Sequence, residues 1–423
     1  MARPLREYWV GSPGADRVSP ASARASEDGA SRARPRDLQL SGGRRLNGGP
    51  TLKVRAAVLE RVGAPLELTE LDLAPPAEGE VLVRLCASGV CHSDLNAIDG
   101  TAETPCPTVL GHEGAGVIEA VGPGVALAPA THVVLSWLPA CGDCVECRRE
   151  LPHLCRSAWT AMATGGLLDG TPRLSRNGEP VFHYCFLSSF AERAVVPARC
   201  CVPIPAEVPF DVAALVGCAV TTGTGAVWRT AGVRPGDRVC VFGCGGVGLS
   251  AVLGAVAVGA TPIVVVDVAE DKLELALSLG ATDAVRWTGS AEHTAELVRS
   301  AGAGGVDYAF EATGRTEAGE AAFLSTRPHG AAVLIGIPPA EATLSLPASQ
   351  MVRTERRVLG SVYGSARPER DFPALLDLYR RGRLPLDRLI SARLPLEDVE
   401  RAFDALRAAR GTRFVLDLDG GSA

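Results

Sequence analysis

Four cysteines crowd one short stretch of the chain, Cys141-Gly-Asp-Cys144-Val-Glu-Cys147 followed by Cys155. Four soft thiolates on one loop can close a tetrahedron around Zn²⁺ with no position left for a substrate, the chemistry of a structural metal site. A redox C-x-x-C pair and unrelated cysteines in a reduced core are the competing readings, and the repeated spacing of three argues against coincidence. A second group of metal-type ligands is dispersed: Cys91-His92-Ser93-Asp94, then Gly111-His112-Glu113-Gly114, then Cys218. Two cysteines and one histidine from separate turns would leave a fourth zinc position free for water or an alcohol. Spacing alone does not bring these three together.

A third motif handles phosphate. Val239-Cys-Val-Phe leads into Gly243-Cys-Gly245-Gly246-Val-Gly248, then a helical run, then Ile263-Val-Val-Val-Asp267. Gly243 serves the tight turn, Gly245 lets the backbone approach a pyrophosphate, and Gly248 lets helix and strand pack closely. The helix start adds free N–H groups and a positive dipole. Asp267, closing the second strand, is placed to accept hydrogen bonds from ribose hydroxyls and to repel a 2′-phosphate, which predicts NAD over NADP. Lys272 on the following helix is within reach of the ribose, although an exposed helical lysine is usually only solvated.

These motifs need elements to hold them. The chain has 423 residues, 47% hydrophobic and 21% charged, long enough for two cores. Between Lys53 and about Cys218, short β-type runs alternate with Gly, Pro and Asp turns: Val54–Leu59, Val81–Ala87, Val117–Val121, His132–Ser136 and Phe190–Val196. From about Thr222 strands alternate with helices, the strands being Val239–Gly243, Ile263–Asp267, Ala284–Trp287, Val306–Glu311, Ala331–Gly336 and Val358–Tyr363. Helices are expected at Asp271–Leu279 and Ala291–Ser300. That rhythm predicts an α/β chain: a β-rich domain followed by a doubly wound parallel sheet. Two amphipathic helices follow, one carrying Phe372, Leu375, Leu376 and Tyr379, the other Val399, Phe403 and Leu406.

Composition excludes several function classes. Residues 1–52 hold nine arginines against five acids and 18 Gly, Pro or Ser, and are expected to be a disordered basic extension; 33 basic and 43 acidic residues remain beyond them. A body that acidic is a poor polyanion binder, so no nucleic-acid partner and no zinc ribbon for one is expected. Val239–Val266 is uncharged over 28 residues but holds six glycines, and reads as a buried strand–helix–strand rather than a membrane span. The N-terminus lacks the apolar core of a signal peptide, and all 13 cysteines are expected to be reduced. A cytoplasmic location follows as the expectation.

Taken together, Gly89-Val-Cys91-His92-Ser93-Asp94, Gly111-His112-Glu113-Gly114-Ala-Gly116, the cysteine lobe, Cys218 and the glycine turn resemble, in that order, the zinc-containing medium-chain alcohol dehydrogenases. The resemblance covers about 53–418, and the segment between Cys155 and Cys218 is similar to the long-loop branch that holds the dimeric animal-type and glutathione-dependent enzymes. It implies a GroES-like catalytic domain, 53–219 and 363–423, interrupted by an NAD-binding Rossmann domain, 220–362. It also implies two Zn²⁺ per chain, one catalytic on Cys91, His112 and Cys218, one structural on Cys141, Cys144, Cys147 and Cys155. Glu113 would lie close to the catalytic metal, Asp94 would orient a ligand, and Ser93 would take the alcohol proton. His92 and Arg413 would lie near the pyrophosphate, with Thr222 against the nicotinamide. Trp137, Tyr184 and Phe190 match substrate-channel positions, and bulky aromatics there favour primary alcohols and aldehydes. A homodimer joined at a sheet edge through Ala331–Gly336 is the family expectation.

Two departures narrow the reading. The glutathione-dependent branch carries an acid and an arginine where this chain has Ala102 and Trp159, which disfavours glutathione adducts while leaving dehydrogenation or reduction of another thiol's hydroxymethyl or nitroso adduct as the alternative. A non-catalytic zinc protein of the same fold is a more remote one, since it would require a damaged site. The animal enzymes commonly end the proton relay on a histidine three residues after the serine, whereas Asn96 stands here. An amide is no base at neutral pH, so the proton leaves through water, His92 or the ribose hydroxyls. Asn96→His is therefore expected to change the pH dependence of hydride transfer, measured by single-turnover NADH formation; an unchanged profile would count against the altered relay.

Overall fold

The structure, a computed structural model, describes residues 51–419. The expectation for the basic extension lies outside these residues apart from its last two positions. Leu52–Leu59, buried at Val54 and from Ala56 to Leu59, and the β runs after it build two linked β layers. Five strands, Leu52–Leu59, Glu67–Leu73, Leu174–Arg176, Glu179–His183 and Thr108–Val109, close into a barrel. A second sheet runs Cys201–Pro203, His132–Leu135, Glu113–Val121, Glu80–Val90, Arg413–Asp417 and Ile390–Pro395, with Arg193–Pro197 also pairing onto Glu80–Val90.

The C-terminal strand matters most for the site. Arg413–Asp417 lies antiparallel to Glu80–Val90, with Phe414 opposite Val90 and Asp417 opposite Ala87. Residues separated by more than 300 positions thus share one sheet just below Cys91.

The cofactor-type half is a six-stranded, wholly parallel sheet in the order Asp283–Arg286, Ile263–Asp267, Val239–Phe242, Val306–Glu311, Thr326–Leu334, Arg357–Gly360. The chain reverses direction across the sheet between Val239–Phe242 and Val306–Glu311, and the crevice at such a reversal is where doubly wound sheets hold ligands. The uncharged run 239–266 is indeed strand, helix Gly246–Val258 and strand. Helices Glu270–Ser278, Ala291–Ala301, Pro368–Arg380 and Val399–Arg407 fall within a few residues of their sequence patterns.

Two expectations are corrected. Thr326–Leu334, which contains most of Ala331–Gly336, is an interior strand paired on both sides, so the free edge at that end is Arg357–Gly360. The strand expected to reach Tyr363 stops at Gly360, and Tyr363 enters a short turn with a positive φ of 51°. A third element had no counterpart in the sequence reading: Phe210–Ala231 is one helix of 22 residues, long and apolar enough by composition to cross a membrane, yet mostly buried against the sheet and the helix Gly246–Val258. Its lack of polar alternation, a consequence of burial on nearly every face, hid it from periodicity.

One buried ion pair fastens the barrel to the sheet that carries Cys91. Arg173, just ahead of Leu174–Arg176, donates from Nε and Nη2 to the two carboxylate oxygens of Glu80 at 2.9 and 2.6 Å, both side chains being under 10% exposed. Removing one partner of such a pair leaves an uncompensated buried charge, at a cost of about 3–5 kcal/mol. Glu80→Ala is expected to lose stability of that order in urea unfolding, whereas the double variant Glu80→Leu/Arg173→Met should recover much of it.

Candidate active site and metal centres

Cys91 ends the strand Glu80–Val90 and caps the helix His92–Asp99. In the first turn of that helix, Asp94 reaches back: its Oδ2 accepts from the Cys91 N–H at 3.0 Å. Its Oδ1 accepts from the Gly111 N–H at 3.1 Å and lies 3.0 Å from His112 Nδ1. The carboxylate is fully buried. With Nδ1 engaged, His112 keeps Nε2 for a metal, the usual arrangement of a ligating imidazole. Gly111 has φ +91°, a conformation few side chains tolerate, and a Cβ there would press on Phe190.

Cys218 arrives from the long helix, where Val216–Val220 widens into a π turn, a distortion that recurs at functional sites. The ligand atoms of Cys91, His112, Glu113 and Cys218 all lie within 4.8 Å of one another, as do those of Cys141, Cys144, Cys147 and Cys155. Both clusters fit Zn²⁺ by donor type, the first with three N/S ligands and an adjacent carboxylate, the second with four sulfurs. In the first, a shared hydrogen bond drives the Cys91 thiol well down and the Cys218 thiol up. In the lobe, the N–H groups of Asp143 and Cys144 point at Cys141 Sγ and pull its thiol down to about 6, while burial raises Cys147 to about 12. Each cluster thus holds a thiolate-prone sulfur, Cys91 or Cys141, beside at least one sulfur pushed up, Cys218 or Cys147, that a bound cation would help to ionise.

Arg413 joins the metal-type cluster to the glycine turn. Its Nη1 donates to Glu113 Oε1 at 3.2 Å and to the Val90 carbonyl at 3.3 Å, and its side chain is 5% exposed. Burial pushes the Glu113 carboxyl up to about 8, opposed by the Arg413 charge. Arg413 also lies against Gly246, where any Cβ would overlap the guanidinium. Its Nε is buried and unpartnered among the described residues. Gly246 is therefore small to admit an arginine, a reason for glycine that the motif alone did not give. The close packing expected at Gly248 is present, since a Cβ there would collide with the Gly243 carbonyl, and Gly245 faces open space. Asp267 closes the turn, accepting from the Cys244 N–H at 2.6 Å and the Ala269 N–H at 3.0 Å.

The remaining expected residues are spread around this core. Ser93 is half-buried, its Oγ 3.9 Å from Cys91 Sγ. His92 is exposed, and partial desolvation together with the charges of Arg413 and Lys272 lowers its basicity, so three basic groups lie within electrostatic reach of one another. Thr222 is half-buried on the long helix. Tyr184 packs edge-on against His112, centroids 5.7 Å apart, and its hydroxyl donates to the Ser93 carbonyl at 2.9 Å. Trp137 tilts against Tyr363 at 4.4 Å and meets Trp159 edge-on at 5.7 Å. Phe190 is corrected: it is wholly buried and packs on Phe403, buttressing Gly111 rather than lining an open wall. Tyr363 was missed, although its hydroxyl donates to the Gly217 carbonyl, one residue before Cys218, at 2.5 Å. No local pattern marks an aromatic that reaches a site by a turn after the last strand of another sheet.

Comparison with known proteins matches this geometry to a family. Residues 77–206 match the family described as alcohol dehydrogenase GroES-like domain, and 246–381 that described as zinc-binding dehydrogenase. An alcohol dehydrogenase zinc-binding domain protein from Burkholderia ambifaria is 35% identical over 87% of this chain and 99% of its own, with a TM-score of 0.83. The chain belongs to the zinc-binding medium-chain alcohol dehydrogenases. Benzyl alcohol dehydrogenase from Acinetobacter calcoaceticus is 32% identical over 86% and 99% of the two chains, TM-score 0.81. Acetophenone reductase from Geotrichum candidum, in complex with NAD, is 23% identical over 87% and 98%, TM-score 0.70, and shares the fold. The two-domain architecture, a GroES-like domain with a Rossmann-type parallel sheet, is that of the family.

Because Asp94 fixes both the Cys91 backbone and the His112 ring, Asp94→Ala is expected to weaken zinc binding by about 10–100-fold. Zinc retention against a graded chelator series measures this; retention equal to wild type would remove Asp94 from the positioning role.

Proposed function

We propose that this chain is an alcohol dehydrogenase that transfers hydride between a primary alcohol or aldehyde and NAD, using one catalytic and one structural zinc. The convergence of Cys91, His112 and Cys218 beside Glu113 and Arg413, with the glycine turn against the same arginine, carries the reading. Bound there, zinc supplies Lewis-acid polarisation of the alcohol oxygen and NAD accepts the hydride. Cys91, His112 and Cys218 hold the metal, oriented by Asp94. Cys141, Cys144, Cys147 and Cys155 hold the second ion with no site open to substrate.

Ser93 accepts the alcohol proton, its backbone fixed by Tyr184, and passes it toward His92 and solvent because Asn96 cannot. The start of the helix Gly246–Val258, Arg413 and His92 take the pyrophosphate. Asp267 takes the adenosine ribose hydroxyls, with Lys272 beside it, and Thr222 packs on the nicotinamide. Segments 53–219 and 363–423 form the catalytic domain and 220–362 the cofactor domain, a division supported by the pairing of Arg413–Asp417 into the sheet of Glu80–Val90.

Tyr184 against His112 and Trp137 against Tyr363 group beside the metal-type cluster and favour an unbranched reacting carbon, with aromatic primary alcohols suggested by the benzyl alcohol dehydrogenase relative. Ala102 and Trp159, where a glutathione-type enzyme carries charge, place thiol adducts second. A cytoplasmic homodimer is the accompanying assignment.

The test is an NADH absorbance screen over primary, secondary and aromatic alcohols, with metal analysis on the same sample. Two zinc ions per chain and primary-alcohol turnover are expected, and one zinc or none overturns the ligand assignments. Trp137→Ala should raise the ratio of secondary to primary turnover; a constant ratio removes Trp137 from the pocket.

A further inference from the structure

A cavity lies among the helices on the outside of the parallel sheet. It holds about 270 Å³ and is lined by Glu292, Glu296, Arg299, Leu324, Gln350 and Arg356, none of which takes part in the sites above. Arg356 is only 9% exposed. Its Nε and Nη1 are buried without a hydrogen-bond partner among the described residues. The guanidinium sits over the Phe323 ring, 5.7 Å from the centroid. That contact offers no acceptor to the Nε and Nη1 donors.

Arg299 reinforces the demand for an anion. Its Nη1 donates to the Leu324 carbonyl at 2.8 Å, and burial together with the Arg299 charge pushes the Arg356 guanidinium below its usual range. An arginine remains charged at neutral pH all the same. The two acids at the cavity are on exposed helix surface, where Glu292 accepts from Ser290 Oγ at 3.1 Å and Glu296 lies 3.8 Å from His293. Neither pairs with Arg299 or Arg356 among the described residues.

We propose that this cavity binds a small oxyanion, the carboxylate or phosphate group of a small metabolite, gripped through the planar donor fork of Arg356 with Arg299 as the second charge. Such forks match both oxyanions bidentately. The volume is below the roughly 300–1,000 Å³ of drug-sized pockets, which limits the ligand to one small molecule. Glu292, Glu296 and Gln350 at the same walls favour a ligand carrying a hydrogen-bond donor beside its oxyanion and disfavour polyanions.

The experiment uses the full chain, zinc-replete and saturated with NAD so that the phosphate cradle at the glycine turn is already filled. Inorganic phosphate and malonate are titrated separately at constant ionic strength, with thermal unfolding and calorimetry as readouts. Saturable stabilisation by at least one probe is expected in wild type, lost in Arg356→Met and about tenfold weaker in Arg299→Gln. Should Arg356→Met not fold, Arg356→Lys, which keeps the charge but not the fork, is expected to show the weakening. A response to phosphate alone identifies a phosphate ester as the natural class, and a response to malonate alone a carboxylate. Absence of saturable stabilisation, or a response unchanged in the Arg356 variants, overturns the proposal. So does a wild type blind to both probes whose stability falls in Glu292→Gln/Glu296→Gln, since the glutamates are then the counterions.

Discussion

The carboxylate of Asp94 is the constraint on which the metal-type site depends. It is fully buried and spends its acceptor capacity on two backbone N–H groups and one imidazole, drawn from the end of one strand and the start of another. A buried carboxylate is tolerated only when hydrogen-bonded this completely. Satisfying it therefore fixes three things together: the direction in which Cys91 leaves its strand, the turn at Gly111, and the tautomer of His112. Electrostatics then sets the occupant. The hydrogen bond that Cys91 and Cys218 share lets one thiol ionise at the expense of the other, so the two ionise together only when a metal cation joins them.

Topology delivers the rest. Cys91 and His112 come from neighbouring strands, Cys218 from a helix a hundred residues on, and Arg413 from the last strand of the chain. The parallel sheet is inserted between Cys218 and Arg413, and its reversal point faces the same cluster. Since Arg413 must pass Gly246 to reach Glu113, a larger residue in the glycine turn would disturb the metal-type cluster as well as the phosphate cradle. Glycine at one position thus serves two halves of the molecule.

The cysteine lobe and the glycine turn are legible in sequence because their chemistry is local: four ligands, or three glycines and an acid, fall within a few turns of chain. Strand and helix rhythm in 239–360 is legible for a related reason, as the central parallel strands are short, mostly apolar runs set off by turn residues such as Gly243, Pro262, Gly305 and Gly330. What escaped is non-local. The long helix Phe210–Ala231 shows no polar face because it has almost none exposed. Phe190 keeps its aromatic identity whether it lines a channel or buttresses Gly111, and only the burial of the barrel tells which. The edge strand could not be read from apolarity either, since Ala331–Leu334 is apolar precisely as an interior strand should be, and Arg357–Gly360 is polar enough to face solvent.

Donor counting shows how one arginine can serve both the metal-type cluster and the cofactor turn. A guanidinium has five N–H donors in a fixed plane. In Arg413, Nη1 is committed to Glu113 and the Val90 carbonyl, while Nε, pressed toward Gly246, is unspent. The committed side opposes the rise that burial imposes on the Glu113 carboxyl, and the unspent side faces the helix start where phosphate-binding N–H groups lie. Lysine could not divide its charge this way, because its ammonium is a single point with no fixed fork. Arginine at 413 is thus required by geometry rather than by charge alone.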